Sequence, residues 1–288
     1  MDRLYYDEYM KTILHRNEKI TSLGMGTTGF WSGKNPGLSE CIRTAHDRYG
    51  ITLFDTAEMY GSGRCESALA DTLEGFDRED LFLVSKILPD HMNERDFDRC
   101  LDDTLTRMRI EYLDLYLLHW PGDSDFSFLV SAMHEAQKAG KIRYWGVSNF
   151  DLQNMKDLFA AGGQDCFCDQ IFYSLYERGA EYDLLPFLKE NDVLPMSYSS
   201  LGSDYYPHPD VRKIPAIMQA CQEYGICPEN YMLKMNQDKG FAALFMTSSP
   251  DHLHADLKEL SEEAFAALTP VFEQAFPAPD HAEPLKKI

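Results

Sequence analysis

Short apolar runs alternate with longer amphipathic stretches from one end of the chain to the other. Eight apolar runs predict β-strands at residues 22–25, 51–55, 81–86, 113–119, 143–148, 167–172, 193–198 and 241–246. Between them, apolar residues recur three or four positions apart, which predicts helices at residues 38–49, 65–73, 94–108, 126–139, 152–161, 184–191 and 214–224. This alternation is typical of repeated βα units around a parallel sheet.

No linker-like or low-complexity segment divides the chain. A length of 288 residues fits one large α/β barrel or two ordinary domains. We therefore expect an α/β fold in which residues 1–288 form a single (β/α)8 TIM-barrel domain. Residues 270–284 contain four prolines and predict a short, irregular C-terminal tail.

Four polar side chains lie at or just after predicted strand ends: Asp55, Tyr60, Lys86 and His119. The C-terminal ends of parallel barrel strands open onto one face, so these groups should converge. The Lys86 ammonium would lower the pKa of the Tyr60 phenol, and Asp55 would hold the ammonium in place. His119 would hydrogen-bond a substrate carbonyl oxygen. Tyr60 is the predicted general acid of carbonyl reduction.

The segments around these residues resemble the signature of the aldo-keto reductases. The resemblance covers residues 54–66 (Phe-Asp-Thr-Ala-Glu-Met-Tyr-Gly-Ser-Gly-Arg-Cys-Glu), the surroundings of Lys86 and His119, and residues 146–150 (Gly-Val-Ser-Asn-Phe). It implies a single barrel that reduces aldehydes or ketones to alcohols with NADPH or NADH. It gives the four polar residues the roles stated above.

The resemblance also implies a nicotinamide site. Ser148, Asn149 and Gln170 match the residues that grip the carboxamide, and Tyr198 matches the aromatic residue on which the nicotinamide ring stacks. The loop that contains Ser199, Leu201 and Ser203 matches the pyrophosphate loop. Because the chain has no Gly-x-Gly-x-x-Gly fingerprint, we expect nucleotide binding of the barrel type and not of the Rossmann type.

The expected site of the adenosine 2′-phosphate departs from the family pattern. Relatives that prefer NADPH commonly carry Lys, Arg and Asn where this chain has Met246, His252 and Asp256. Thr247 and Ser248 could still bind a phosphate through their hydroxyls. We therefore expect weak discrimination between NADPH and NADH.

Aromatic residues in the loops after the predicted strands indicate the substrate pocket. Phe30, Trp31 and Trp120 are the candidate substrate contacts, and Tyr205 and Tyr206 are expected to join them at the barrel mouth. No arginine is obviously placed to clamp a substrate carboxylate. A small aldehyde or ketone is the expected substrate.

Composition excludes several other classes of protein. The net charge of −20 argues against nucleic-acid binding, which needs a basic surface. No segment approaches the roughly 20 apolar residues of a membrane span, and residues 1–8 lack the apolar core of a secretory signal. The seven scattered cysteines suit reduced thiols in the cytoplasm and form no metal-binding pattern. We expect a cytoplasmic monomer without a metal.

Two other functions remain open at this point. The barrel could bind a nucleotide without catalysis, as a redox or assembly sensor, and the loss of the expected cations keeps this alternative in play. Lys86 could also be the Schiff-base nucleophile of an aldolase, because a lysine at a strand end is suited to that chemistry.

Overall fold

The computed structural model describes residues 11–203, 205–281 and 283–286. In chain order, its strands are β1 Thr12–His15, β2 Glu18–Thr21, β3 Leu23–Gly26, β4 Leu53–Asp55, β5 Phe82–Ile87, β6 Leu113–Leu118, β7 Ile142–Ser148, β8 Cys168–Phe172, β9 Leu194–Tyr198 and β10 Ala242–Phe245. Strands β3 to β10 close into a barrel in the order β10-β3-β4-β5-β6-β7-β8-β9, and every neighbouring pair is parallel.

The helices surround this barrel. In chain order they are α1 Pro36–Tyr49, α2 Arg64–Thr72, α3 Phe97–Met108, α4 Phe126–Lys138, α5 Leu152–Ala160, α6 Leu184–Glu190, α7 Pro215–Glu223, α8 Pro228–Asp238, α9 Pro250–Asp256 and α10 Glu262–Ala275. The eight predicted strands and seven predicted helices are all confirmed, with ends that differ by up to three residues. The (β/α)8 barrel class is likewise confirmed.

The interior of the barrel is filled by apolar side chains. Leu53, Val84, Leu117 and Met196 project into one buried cluster, which Ile20 of the β1–β2 hairpin joins. The hairpin covers the N-terminal end of the barrel and was not predicted. Because that end is closed, the polar groups of the site gather at the C-terminal ends of the strands.

The predicted irregular tail is partly wrong, because Pro270 lies inside helix α10. A proline inside a helix removes one hydrogen bond and normally breaks the helix. Here the buried face of α10 packs on α8, where Tyr231 stacks on Phe265 at 5.1 Å and on Phe272 at 3.8 Å. This packing maintains the helix through Pro270, and the irregular segment begins only after Ala275.

The prediction of one domain over residues 1–288 stays a prediction. Residues 1–10, on which the expected lack of a secretory signal rests, lie outside the described part. Within the described ranges, every helix is too short or too polar to cross a membrane.

Candidate active site

Neighbouring strand ends bring the four predicted catalytic residues together. Asp55 is the last residue of β4, Lys86 lies one residue before the end of β5, and His119 follows β6 directly. Tyr60 reaches them from the loop after β4. Its hydroxyl lies 3.4 Å from Lys86 Nζ, and its ring meets the His119 imidazole edge-on at 5.6 Å. The predicted convergence is therefore present.

Lys86 is fully buried and its ammonium is held by three acceptors. Nζ donates to Asp55 Oδ1 at 2.5 Å, to the carbonyl oxygen of Thr56 at 2.9 Å and to the Tyr60 hydroxyl. The other carboxylate oxygen of Asp55 accepts a hydrogen bond from Gln170 at 2.8 Å. A buried ion pair is tolerated when its remaining hydrogen-bonding positions are satisfied in this way.

The pKa of the Tyr60 phenol was expected to be lowered by the Lys86 ammonium, but in the structure it is raised. Burial raises the pKa of the Tyr60 phenol well above its ordinary value, and the Asp55 carboxylate raises it further. Burial also lowers the pKa of Lys86, although Asp55 partly offsets this effect. Because Asp55 compensates the charge of Lys86, the ammonium does not dominate the field at the phenol. Tyr60 is therefore protonated at neutral pH, as a proton donor must be.

His119 is a neutral imidazole. Burial, followed by the nearby Lys86 charge, lowers its pKa to about 3. Its Nδ1 atom is buried without a hydrogen-bond partner among the described residues. A buried N–H without an acceptor costs more than a buried lone pair, so the ring proton belongs on Nε2. The imidazole can then donate through Nε2 to an oxygen in the cleft.

The loop that carries Tyr60 turns sharply just after it. Gly61, Ser62 and Gly63 all have positive φ angles, of 58°, 55° and 83°. A Cβ atom on Gly61 would lie 2.6 Å from the carbonyl oxygen of Trp31, which also accepts a hydrogen bond from Arg64 Nε at 3.2 Å. Glycine is required at position 61 for both reasons, and the Tyr60 loop is joined to the loop after β3.

The predicted carboxamide residues lie side by side on β7 and β8. Ser148 Oγ donates to the carbonyl oxygen of Gln170 at 2.7 Å, and Asn149 Nδ2 donates to the carbonyl oxygen of His119 at 2.9 Å. The Tyr198 hydroxyl donates to Asn149 Oδ1 at 2.7 Å. These hydrogen bonds connect the candidate nicotinamide residues to two of the predicted catalytic residues. Asn149 reaches His119, and the Gln170 side chain reaches Asp55.

A cleft of about 580 Å³ is lined by residues of both sets, and only Lys86, which is fully buried, does not line it. This volume is in the range of small-molecule sites. Its lining residues are Gly26, Thr27, Thr28, Trp31, Asp55, Met59, Tyr60, His119, Ser148, Asn149, Gln170, Tyr198, Ser199, Ser200, Leu201, Gly202, Ser203, Tyr205, Leu244, Phe245 and Met246. The predicted pyrophosphate loop, from Ser199 to Ser203, therefore borders the cleft.

Of the five residues expected near the 2′-phosphate, Met246 alone lines the cleft. Its sulfur accepts hydrogen bonds from the backbone N–H of Gly29 at 3.1 Å and from the Thr28 hydroxyl at 3.5 Å. Thr247 and Ser248 follow it, and Ser248 Oγ accepts a hydrogen bond from Asn35 at 3.0 Å. These contacts tie the segment after β10 to the loop after β3.

His252 and Asp256 have different surroundings. His252 is exposed in the first turn of α9. Asp256 is buried at the end of α9, where its carboxylate lies beside Glu229 and accepts a hydrogen bond from the Cys227 thiol. Burial and Glu229 raise the pKa of Asp256 to about 6. The structure places Asp256 against α8 and not in the cleft.

The substrate prediction is partly wrong. Phe30 is fully buried in the main hydrophobic core, because the turn at residues 28–30 folds its ring inward. Trp31 is about half exposed and lines the cleft, as does Tyr205. Trp120 contacts the ring of His119 at 5.0 Å but does not line the cleft, and Tyr206 stacks on Phe172.

Sequence reasoning missed three cleft residues near the catalytic group: Thr27, Thr28 and Met59. Met59 precedes Tyr60 in the loop after β4, so its position next to the predicted general acid could have indicated that it lines the cleft. The threonines follow the Gly24-Met25-Gly26 strand, where nothing in the residue types alone distinguishes a cleft from a surface turn.

The barrel is closed and parallel, and its cleft combines a protonated phenol with a neutral imidazole. A buried Asp–Lys pair lies beside them. Together these features define a class of oxidoreductases. Residues 22–264 match the profile of the Aldo/keto reductase family. A methylglyoxal reductase of Escherichia coli is 34% identical over 232 residues, which cover 80% of this chain and 81% of that protein. A glycerol 2-dehydrogenase (NADP(+)) of Saccharomyces cerevisiae is 26% identical over 296 residues, covering 90% and 92%.

Solved structures agree with this assignment. An aldo/keto reductase from Klebsiella pneumoniae in complex with NADP and acetate has a TM-score of 0.86 and 29% identity, covering 97% of this chain and 100% of that chain. The Klebsiella aldo-keto reductase in complex with NADPH has a TM-score of 0.85. The chain belongs to the aldo/keto reductase family and is an oxidoreductase of carbonyl or alcohol groups that uses a nicotinamide cofactor.

Proposed function

We propose that this protein reduces small, uncharged aldehydes to primary alcohols, with NADPH or NADH as the reductant and Tyr60 as the proton donor. The observation that carries the proposal is the position of the Tyr60 hydroxyl. It faces the cleft, lies 3.4 Å from Lys86 Nζ and is in its protonated state at neutral pH.

The residues of the cleft fit a nicotinamide. Ser148, Asn149 and Gln170 offer an amide group both donors and acceptors, and the Tyr198 ring lies beside them. When bound, the reduced nicotinamide supplies the hydride that adds to the carbonyl carbon. The chain supplies the rest: the Nε2–H of His119 binds the carbonyl oxygen, and Tyr60 gives that oxygen its proton. Lys86 then stabilises the phenolate that Tyr60 becomes.

The lining of the cleft supports an uncharged substrate. None of the described residues that line it is Lys or Arg, and His119 is neutral. A substrate carboxylate would find no cation there, in a protein whose net charge is −20. The Escherichia coli relative named as a methylglyoxal reductase supports methylglyoxal as a candidate substrate.

The two alternative functions are less well supported. A Schiff-base nucleophile must be accessible to its substrate, whereas Lys86 is fully buried and bonded to Asp55, Thr56 and Tyr60. A sensor without catalysis would have no need of a protonated phenol beside a neutral imidazole. We place the enzyme in the cytoplasm, which the seven unpaired cysteines support, as a monomer that needs no metal.

The test is to follow oxidation of NADPH and NADH in the presence of methylglyoxal or 4-nitrobenzaldehyde. Tyr60→Phe should lower turnover at least about 100-fold, because the general acid is lost, and should leave the cofactor dissociation constant within about twofold. Tyr116→Phe is the matched control: its hydroxyl is buried outside the cleft, so turnover should persist. Cofactor binding by the wild type without any turnover would support the sensor instead.

A further inference from the structure

Tyr60 and Lys86 belong to different segments of the chain, and their contact depends on how those segments are joined. Tyr60 lies in the loop after β4 and Lys86 near the end of β5. Glu58, two residues before Tyr60, donates its backbone N–H to the carbonyl oxygen of Lys86 at 3.3 Å. Its side chain then reaches past Lys86 and accepts the backbone N–H of Leu88 at 2.6 Å.

One carboxylate oxygen of Glu58 accepts two hydrogen bonds from the segment after β5. The Oε1 atom that binds Leu88 also accepts a hydrogen bond from His91 Nδ1 at 2.9 Å. Glu58 is buried, whereas the His91 side chain is about one-third exposed. The residues after β5 are therefore attached to the residue two positions before the proton donor.

The other side of the Tyr60 loop is fixed separately. Glu66, in the first turn of α2, is fully buried, accepts a hydrogen bond from Ser85 Oγ at 2.7 Å and pairs with Arg107 of α3. Glu66 reaches β5 at Ser85, before Lys86, whereas Glu58 is the residue of the Tyr60 loop whose side chain reaches the backbone after Lys86.

We propose that Glu58 is a positioning residue that sets the Tyr60 hydroxyl against Lys86 and that it acts through the reach of Oε1 and not through its charge. This inference rests on the proposed function of Tyr60 as the proton donor. Both hydrogen bonds use an oxygen that glutamine also offers at the same distance from the backbone. Aspartate keeps the charge but is one methylene shorter.

The test compares Glu58→Gln with Glu58→Asp. Glu58→Gln should keep kcat within about threefold, and Glu58→Asp should lower kcat by about 10- to 100-fold, because small misplacements of catalytic groups have effects of that size. The KM for the aldehyde and the dissociation constant of the cofactor should stay within about twofold in both variants. A kcat loss of this kind separates a positioning role from a loss of binding.

The pH profile is a second readout that a purely structural role would not change. In Glu58→Asp the pH dependence of alcohol oxidation, which needs Tyr60 as a proton acceptor, should shift because the distance to Lys86 changes. Glu181→Gln is the matched control: Glu181 is a partly buried carboxylate paired with Arg178 and Lys239 outside the cleft. It should lower thermal stability and leave kcat and its pH profile unchanged.

The opposite order of the two variants, with Glu58→Asp active and Glu58→Gln impaired, would overturn the proposal, as would wild-type kcat in both. Glu58, His91 and Cys100 lie close enough to share a metal ion, so the wild type is also assayed with and without a chelator. Equal rates are expected, and a rate that depends on metal contradicts the hydrogen-bond mechanism. Failure of the proposed function itself is recognised separately, because the wild type would then show no aldehyde reduction.

Discussion

Gln170 donates a hydrogen bond to Asp55, so the same carboxylate that holds the Lys86 ammonium also holds a candidate nicotinamide residue. Asp55 uses one oxygen for each partner. A single side chain therefore holds both the candidate carboxamide residue and the ammonium beside the proposed proton donor. The following expectations depend on this arrangement and on the burial of the groups around it.

Lys86→Met should impair both catalysis and stability. The variant removes the cation that stabilises the Tyr60 phenolate, so kcat should fall by about 100- to 10,000-fold. It also leaves the Asp55 carboxylate buried without its cation, which should cost about 3–5 kcal/mol of unfolding free energy. Chemical denaturation and steady-state kinetics measure the two effects. Adding Asp55→Asn should recover part of the stability and none of the activity; recovery of activity would contradict the mechanism.

The kcat of aldehyde reduction should be flat between about pH 5 and 8. The pKa of His119 is lowered to about 3, so the imidazole stays neutral throughout this range, and the raised pKa of Tyr60 keeps the phenol protonated. Oxidation of the alcohol needs Tyr60 as a proton acceptor, so its rate should rise with pH. Profiles measured in both directions decide this. A reduction rate that falls below pH 7 with a single ionisation contradicts the neutral state of His119.

NADPH and NADH should bind with dissociation constants that differ by less than about tenfold. Charge-assisted hydrogen bonds to a phosphate contribute about 1.5–3 kcal/mol each, and the described segment after β10 offers none from Met246.

A strong NADPH preference would contradict this expectation. The cation to test in that case is Arg212, which pairs with Glu229 and acts on Asp256 from the neighbouring segment. Loss of the preference in Arg212→Gln would identify it as the phosphate ligand.

Asp256→Asn should stabilise the protein at pH 7.5. The pKa of Asp256 is raised from its ordinary value to about 6, so the folded state binds the proton more tightly than the unfolded chain. Its stabilising effect is complete below about pH 4 and is lost as the pH rises through 6. Asparagine imitates the protonated form and should add about 1–2 kcal/mol at pH 7.5 and nothing at pH 4. Asp251→Asn, exposed on the same helix, is the control; a gain at both pH values would contradict the assignment.

The enzyme should reduce 4-nitrobenzaldehyde at least about tenfold more efficiently than 4-carboxybenzaldehyde, since the described cleft offers no cation for the carboxylate. Trp31→Arg should raise kcat/KM for the carboxylated aldehyde, because Trp31 lines the mouth of the cleft. Trp31→Leu is the matched control and should leave the ratio of the two substrates unchanged. Equal efficiency in the wild type would show that the substrate carboxylate stays outside the cleft.

The strands could be predicted because they are buried on both faces and form continuous apolar runs, and the amphipathic helices because each buries one side. Helix α8 has no such pattern: residues 228–236 are all buried, so polar and apolar positions alike face protein and periodicity disappears. Helix α10 was hidden by Pro270, whose effect on the backbone is outweighed by the packing of Phe265 and Phe272 on Tyr231.

In the site, too, the identities of the residues could be predicted from the sequence and their surroundings could not. The convergence of the four candidate catalytic residues could be predicted, since three strand ends and the loop after β4 place them together. The sign of the pKa change at Tyr60 could not, because it depends on how completely the phenol is buried and on how close it lies to the Asp55 carboxylate. Phe30 was misplaced because its type suits a cleft wall and a core equally, and only the turn at residues 28–30 decides between them.

The close approach of Gly61 to the Trp31 carbonyl oxygen links two loops: the loop after β3, which borders the cleft, and the loop after β4, which carries Tyr60. Trp31 lines the cleft that the proposed aldehyde substrate would enter, and Gly61 directly follows Tyr60, the proposed proton donor. A loop exchange after β3 that moved the Trp31 backbone would press on the left-handed turn behind Tyr60. New substrates can therefore be accommodated by changing side chains in that loop while its backbone is kept, and insertions there would alter turnover as well as selectivity.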